Sequence, residues 1–252
     1  MQKRGLQLYT IRELCEKDFI GTLKQVSSWG YKGAQFAGYH DTSAKALKQA
    51  LDHYDLKPAG SHIGLDQLKE DELKRQIEYN QMLGNDLLVL AYLIEEHRKN
   101  IDDYKRAAET LNHAGYLLNR EGLNLGYHNH DFEFVDHGGE TGYDILLNET
   151  DPSLVSFELD CYWAAYSGYD PVQFMDRLGE RLVTLHMKDM AVKGTEKQST
   201  ILGKGELDLE SIVKKGNQFS VLWFIVEQEH FEKDLATTAK ENARALENLL
   251  RS

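Results

Sequence analysis

Proline is scarce, with three in 252 residues, and no Pro-, Ser- or Gly-rich stretch serves as a linker. A second domain hinged on a flexible segment is therefore not expected, and residues 1–252 read as a single domain. The two cysteines, Cys15 and Cys161, lie far apart and give no disulfide framework. No apolar run approaches the length needed to span a bilayer. The N-terminus reaches the strand-like Gly5-Leu-Gln-Leu-Tyr9 almost at once, which argues against a leader and for a cytoplasmic protein. Positive charge is also short: 29 Lys and Arg stand against 41 Asp and Glu, a formal net charge of -12. Such a surface repels phosphate backbones, so neither nucleic acid nor a membrane is an expected partner. No glycine-rich dinucleotide fingerprint follows the first apolar run. Gly203-Lys-Gly205 lacks the spacing of a phosphate loop and reads as a turn before a helix capped by Asp208.

What is present is a rhythm. Eight short apolar runs alternate with helix-like segments: Leu6–Tyr9, Gly33–Phe36, Lys57–His62, Asp86–Ala91, Leu125–Phe134, Val155–Asp160, Leu182–Lys188 and Val221–Glu227. Helical spacing marks the intervals from about Asp18 to Trp29, Ser43 to Tyr54, Asp66 to Leu83, Ile101 to Asn119 and Leu235 to Leu250. Strands separated by helices pair in parallel, and eight such units predict an α/β fold, a (β/α)8 TIM barrel, rather than an open doubly wound sheet.

Five of the runs end in a residue able to bind a metal: His62, His128 with His130, Asp160, His186 and Glu227. In a barrel all strand C-termini converge on one mouth. A lone Asp there is more often a helix cap, and a lone His a satisfied core residue. Five such ends are harder to explain by capping, and unpartnered buried charge is costly. A divalent cation would neutralise it. Nitrogen and carboxylate ligands without cysteine suit Mn2+, Zn2+, Co2+ or Fe2+, with several carboxylates favouring Mn2+ and Mg2+ a further alternative.

These residues, with Gly5-Leu-Gln-Leu-Tyr-Thr-Ile-Arg12, Gly60-Ser-His62, Tyr127-His-Asn-His-Asp-Phe-Glu-Phe134, Leu185-His-Met-Lys-Asp189, Leu202-Gly-Lys-Gly205 and Val226-Glu-Gln-Glu229, resemble the sugar phosphate isomerase/epimerase family of xylose isomerase-like barrels. The resemblance runs over nearly the whole chain. It implies one divalent metal ion held by strand-end residues, of which Asp160, His186 and Glu227 match. The family's usual strand-five ligand is a glutamate where this chain has His128. Either His128 binds the metal, or Glu133 swings back from the loop; the usual charge balance favours Glu133.

His130 is the expected base, since a neutral imidazole takes a proton near pH 7. Lys188 shares a face with His186 and is expected either to steady an enolate oxygen or to form a salt bridge. Glu158 is expected to pair with such a lysine deeper in the barrel. Gln7, Tyr9, His62 and Trp163 are expected sugar contacts, with plain packing the alternative for Trp163. Cys161 has no companion base.

The implied activity is a metal-dependent isomerase or epimerase acting on a small sugar or keto-sugar by proton abstraction next to a chelated carbonyl. The alternatives are a lyase of the inosose dehydratase or 3-keto-glycoside type and a catalytically silent sugar-binding barrel. A nuclease on the same scaffold fits the charge poorly. Barrels of this kind often associate into homo-oligomers.

Overall fold

The computed structural model describes residues 3–251, with Glu70 by its backbone alone. Ten strands lie among them: β1 Arg4–Gln7, β2 Gly33–Ala37, β3 Lys57–Ile63, β4 Leu87–Leu90, β5 Asn124–His128, β6 Val155–Asp160, β7 Leu182–Met187, β8 Asp189–Lys193, β9 Glu196–Thr200 and β10 Trp223–Val226. Eight close into a parallel barrel in the order β1-β10-β7-β6-β5-β4-β3-β2, while β8 and β9 form a separate hairpin. Each barrel strand is short, and the helices that return the chain lie outside. The helix Ile101–Arg120 shows why these segments are helical. Asn100 and Asp103 form a reciprocal cap, and Tyr104, Ala107, Ala108, Leu111, Ala114 and Leu118 make one buried stripe.

Strand alternation decides what fills the barrel. His128 lies opposite Glu158. Glu158 lies opposite Thr184, and Asp160 opposite His186. The next interior positions towards the strand N-termini include Gly33, Ala59, Leu87, Gly126 and Trp223. A Cβ on Gly33 would stand 2.7 Å from the Trp223 ring and 3.0 Å from Ala59, so glycine there makes room for the indole that plugs this end. The barrel thus has a packed floor and a polar mouth.

All eight expected barrel strands are present, with ends shifted by a few residues. The fifth is shorter than its apolar pattern: it stops at His128, and His130 lies in the loop beyond. Four helices were not anticipated: Arg12–Lys17, Gly142–Glu149, Cys161–Tyr166 and Pro171–Leu178, of 6, 8, 6 and 8 residues. None is long enough to show a sustained period. The β8–β9 hairpin was also not anticipated. Its turn leaves Lys193 paired with Glu196, and Gly194 takes a φ of 66°.

Gly33→Ala is expected to destabilise the protein by about 1–3 kcal/mol through overpacking against Trp223. Urea unfolding should show a lower midpoint with an unchanged slope; an unchanged midpoint would contradict the packing account.

Candidate metal centre and barrel mouth

The strand ends bring His128, Asp160, His186 and Glu227 together, with one donor atom from each lying within 4.8 Å of the others. All four are buried. Two nitrogens and two carboxylates form a donor set suited to a borderline divalent cation. Asp160 Oδ2 is buried without a hydrogen-bond partner, as expected of a ligand oxygen. Its other oxygen accepts the backbone N–H of Trp163 at 2.9 Å and caps the helix Cys161–Tyr166, so Asp160 is a cap and a candidate ligand at once. Burial pushes the Asp160 carboxyl up to about 6, with Lys188 and His186 opposing the rise.

Lys188 is fully buried among carboxylates. Its Nζ lies 3.6 Å from Asp160 Oδ2, 3.4 Å from Glu227 Oε2 and 3.2 Å from Glu229 Oε2. Burial disfavours the ammonium, but these three carboxylates raise its affinity for the proton above the ordinary lysine range. The ion-pair alternative is therefore what the geometry shows, and Lys188 is not among the residues lining the mouth cavity. Burial raises Glu227, but Lys188 and then His186 hold it well below the usual carboxylate range.

Glu158 does not pair with a lysine. Its Oε1 lies 2.6 Å from His62 Nε2, 3.0 Å from His186 Nε2 and 3.2 Å from His128 Nδ1. Its Oε2 accepts from Gln35 Nε2 at 2.6 Å and from Thr184 Oγ1 at 2.8 Å. Burial raises this carboxyl, yet His186, then His62, keep it well below the usual range. His62, His128, Glu158 and His186 form a second close cluster, deeper than the first and sharing two of its histidines.

Two expected positions are corrected. Gln7 is fully buried, donates to Gln35 Oε1 at 2.8 Å and accepts the backbone N–H of Tyr9. It therefore sits beneath the mouth, not at a sugar-contact position. Glu133 is not in either donor cluster. The turn Phe132–Phe134 directs it inward, where Tyr127 donates to Oε1 at 2.5 Å and the backbone N–H of His130 donates to Oε2 at 2.8 Å. Three residues of spacing would allow it to reach the metal site, but the turn spends that reach on the core. Burial pushes Glu133 up to about 7 against both hydrogen bonds.

His130 is held by aromatic rings. Phe132 stacks on it with centroids 5.4 Å apart, Tyr92 meets it edge-on at 5.0 Å, and Trp163 lies at 5.8 Å. Arg98 covers the outer face of Phe132 at 3.7 Å. Burial first, then His128, pushes His130 down to about 2, so the ring is neutral. Its Nδ1 has no hydrogen-bond partner, nor does Trp163 Nε1. A cavity of about 540 Å3 opens over this array, lined by Tyr9, His62, Tyr92, His128, His130 and Glu227 among others. That size suits a monosaccharide-sized ligand. A second cavity, about 410 Å3, lies by the hairpin, where Lys193, Lys204 and Lys233 are each tied to a glutamate. Cys161 is buried and its thiol is pushed well up by burial.

Asp189 was not anticipated as structurally important. Its carboxylate accepts backbone N–H groups from Met190, Gly203, Gly205 and Leu207, at 2.8, 2.9, 2.9 and 3.2 Å. It thereby anchors the Gly203–Gly205 turn beside the hairpin.

The model of the xylose isomerase-like TIM barrel matches residues 23–249. The chain belongs to this family. An inosose dehydratase from Clostridium perfringens is 25% identical over 233 residues, spanning 79% of this chain and 78% of its own. An inosose dehydratase from Geobacillus kaustophilus is 26% identical over 215 residues, spanning 77% and 68%. A sugar phosphate isomerase/epimerase from Parabacteroides distasonis superposes with a TM-score of 0.80 at 26% identity, covering 96% of each chain. These relatives are enzymes named for sugar or cyclitol chemistry. Among the described residues no helix is long and apolar enough to cross a membrane.

A group whose carboxyl is raised by folding contributes fully below the ordinary glutamate range and loses that contribution as pH rises through the raised value. Glu133 should therefore cost stability progressively between about 4.5 and about 7. Glu133→Gln is expected to flatten the stability profile across that window, read by urea unfolding on either side of it. A profile as steep as that of the wild type would contradict the assignment.

Proposed function

We propose that the protein is a divalent-metal-dependent lyase that removes water, or an equivalent β-leaving group, from a cyclic keto-polyol or keto-sugar. The observation that carries this reading is the content of the fifth strand and its loop. They present His128 to the donor cluster and His130 to the mouth, where a pair of opposed carboxylate bases would favour epimerisation. The two inosose dehydratases among the relatives support the same reaction class.

His128, Asp160, His186 and Glu227 would hold the ion. Bound there, it supplies Lewis acidity that acidifies the C–H next to a substrate carbonyl. His130 takes that proton, and the C–H electron pair becomes the new C=C bond as the β C–O bond breaks. The imidazolium then gives the same proton to the departing hydroxyl. Water leaves, His130 returns to its neutral form, and the enol product relaxes to a dicarbonyl. One base serves both steps, so hydrogen and hydroxyl leave from one face. Lys188 keeps Asp160 and Glu227 apart and charge-balanced. Tyr9 and Tyr92 offer apolar faces to the ring, and His62 is the candidate partner of its hydroxyls. Among the described residues the lining of the mouth cavity contains no Lys or Arg, which favours an uncharged substrate over a phosphorylated one.

A second reading, isomerase or epimerase, is favoured by Glu227, which lines the same cavity as His130 and offers a second proton acceptor. It is also the activity named for the Parabacteroides relative. The two readings differ in product: elimination gives an unsaturated or dicarbonyl compound and releases water, whereas isomerisation conserves the formula.

The test is incubation of the Mn2+-loaded protein with keto-inositols and 3-keto-glycosides, followed by NMR and ultraviolet absorbance. An enone or dicarbonyl product is expected. His130→Asn should lower kcat by about 10^2- to 10^4-fold while leaving metal content unchanged. An epimer or ketose isomer as sole product would transfer the assignment to the second reading. Undiminished kcat in His130→Asn would remove His130 as the base.

A further inference from the structure

We infer that Glu158 is a positioning residue that dedicates His186 Nδ1 to a single cation and closes the deeper histidine cluster to a second one; this rests on the metal-centre reading above. The two clusters share His128 and His186, so the chain offers two adjacent places for an ion. The hydrogen bonds separate them.

On the deep side, His186 Nε2 faces two acceptors, Gln35 Oε1 at 2.7 Å and Glu158 Oε1 at 3.0 Å. Gln35 Oε1 is fixed as an acceptor because it also receives Gln7 Nε2, while its own Nε2 donates to Glu158. Two acceptors converging on one ring nitrogen require that nitrogen to carry its proton. His62 Nε2 lies 2.6 Å from the same glutamate oxygen, a carboxylate that can only accept. The deep cluster is thus filled by N–H groups pointing at one carboxylate, and an ion there would have to displace them. On the outer side, His186 Nδ1 faces Glu227 Oε2 at 3.3 Å and Asp160 Oδ2 at 4.0 Å, two oxygens of the outer donor set. Asp160 Oδ2 has no hydrogen-bond partner.

A carboxylate behind a metal-bound histidine fixes its tautomer and orientation and commonly contributes a factor of about 10–100 in metal affinity. Here one carboxylate serves the ligand His186 and the mouth residue His62 together, and lies 3.2 Å from His128 Nδ1. Thr184 and Gln35 restrain its other oxygen, so the group cannot rotate away without losing both partners. The arrangement couples the metal site to the mouth: a shift of His62 on substrate binding is felt at His186 through a single oxygen.

The test uses the full-length protein loaded with Zn2+, which is diamagnetic, and labelled with 15N-histidine. Long-range 1H–15N correlations are expected to show His186 protonated at Nε2 and metal-bound at Nδ1, with one zinc ion per chain. Glu158→Gln should retain the wild-type circular dichroism and bind Zn2+ about 10- to 100-fold more weakly in calorimetric titration. Ligation of His186 through Nε2, two ions per chain, or wild-type affinity in Glu158→Gln would overturn the inference while leaving the metal centre standing. Failure of the wild type to bind any zinc would overturn both. If Glu158→Gln does not fold, the wild-type spectrum and stoichiometry decide alone.

Discussion

Closing eight parallel strands into a barrel forces the carboxylates of β6 and of the residue after β10 into one small, dry volume. Asp160, Glu158 and Glu227 are all buried there, and each needs a counter-charge or a set of donors. The protein meets this demand in layers. Glu158 is surrounded by hydrogen-bonding groups from three strands, Gln35, His62, Thr184 and His186, with His128 close by. Lys188 sits among Asp160, Glu227 and Glu229. What is left over is a patch of lone pairs from His128, Asp160, His186 and Glu227, and that remainder is the candidate metal centre. Beneath this network the floor of the barrel is packed by Trp223 against Gly33.

The same layering explains the mouth. His130 is not on a strand but in the loop after β5, which Glu133 ties to Tyr127 beneath it. The carboxylate therefore acts on His130 through the backbone and stands outside the donor cluster. Phe132, Tyr92 and Trp163 then box the imidazole, and burial among them favours its neutral form. The route from sequence to function passes through one short turn, whose geometry decides which of two nearby groups faces the cavity.

Much of this was legible beforehand. The strand rhythm identified the barrel, because apolar runs separated by amphipathic helices leave few alternatives. The strand-end residues Asp160, His186, Glu227 and His128 could be named because barrel topology converts position in a run into position in space. Glu133 could not be placed, since its spacing from His130 fits both an inward and an outward side chain, and only the Phe132–Phe134 turn distinguishes them. Gln7 was misplaced by one layer of the barrel, a distance that the pattern of a four-residue strand does not resolve. The role of Glu158 depends on three histidines from three strands meeting one oxygen, a long-range coincidence invisible in any local window. The hairpin did carry a local signal in Lys193-Gly-Thr-Glu196, between two stretches of mixed polarity that did not look like strands. Asp189 carried none, because its partners are backbone groups.

The most direct test of the central claim is anomalous diffraction from crystals of the protein grown with Mn2+. The account predicts one peak at bonding distance from His128, Asp160, His186 and Glu227, with Glu133 remaining beneath Tyr127. A peak bound instead by His62 and Glu158, or one that draws in Glu133, would contradict it.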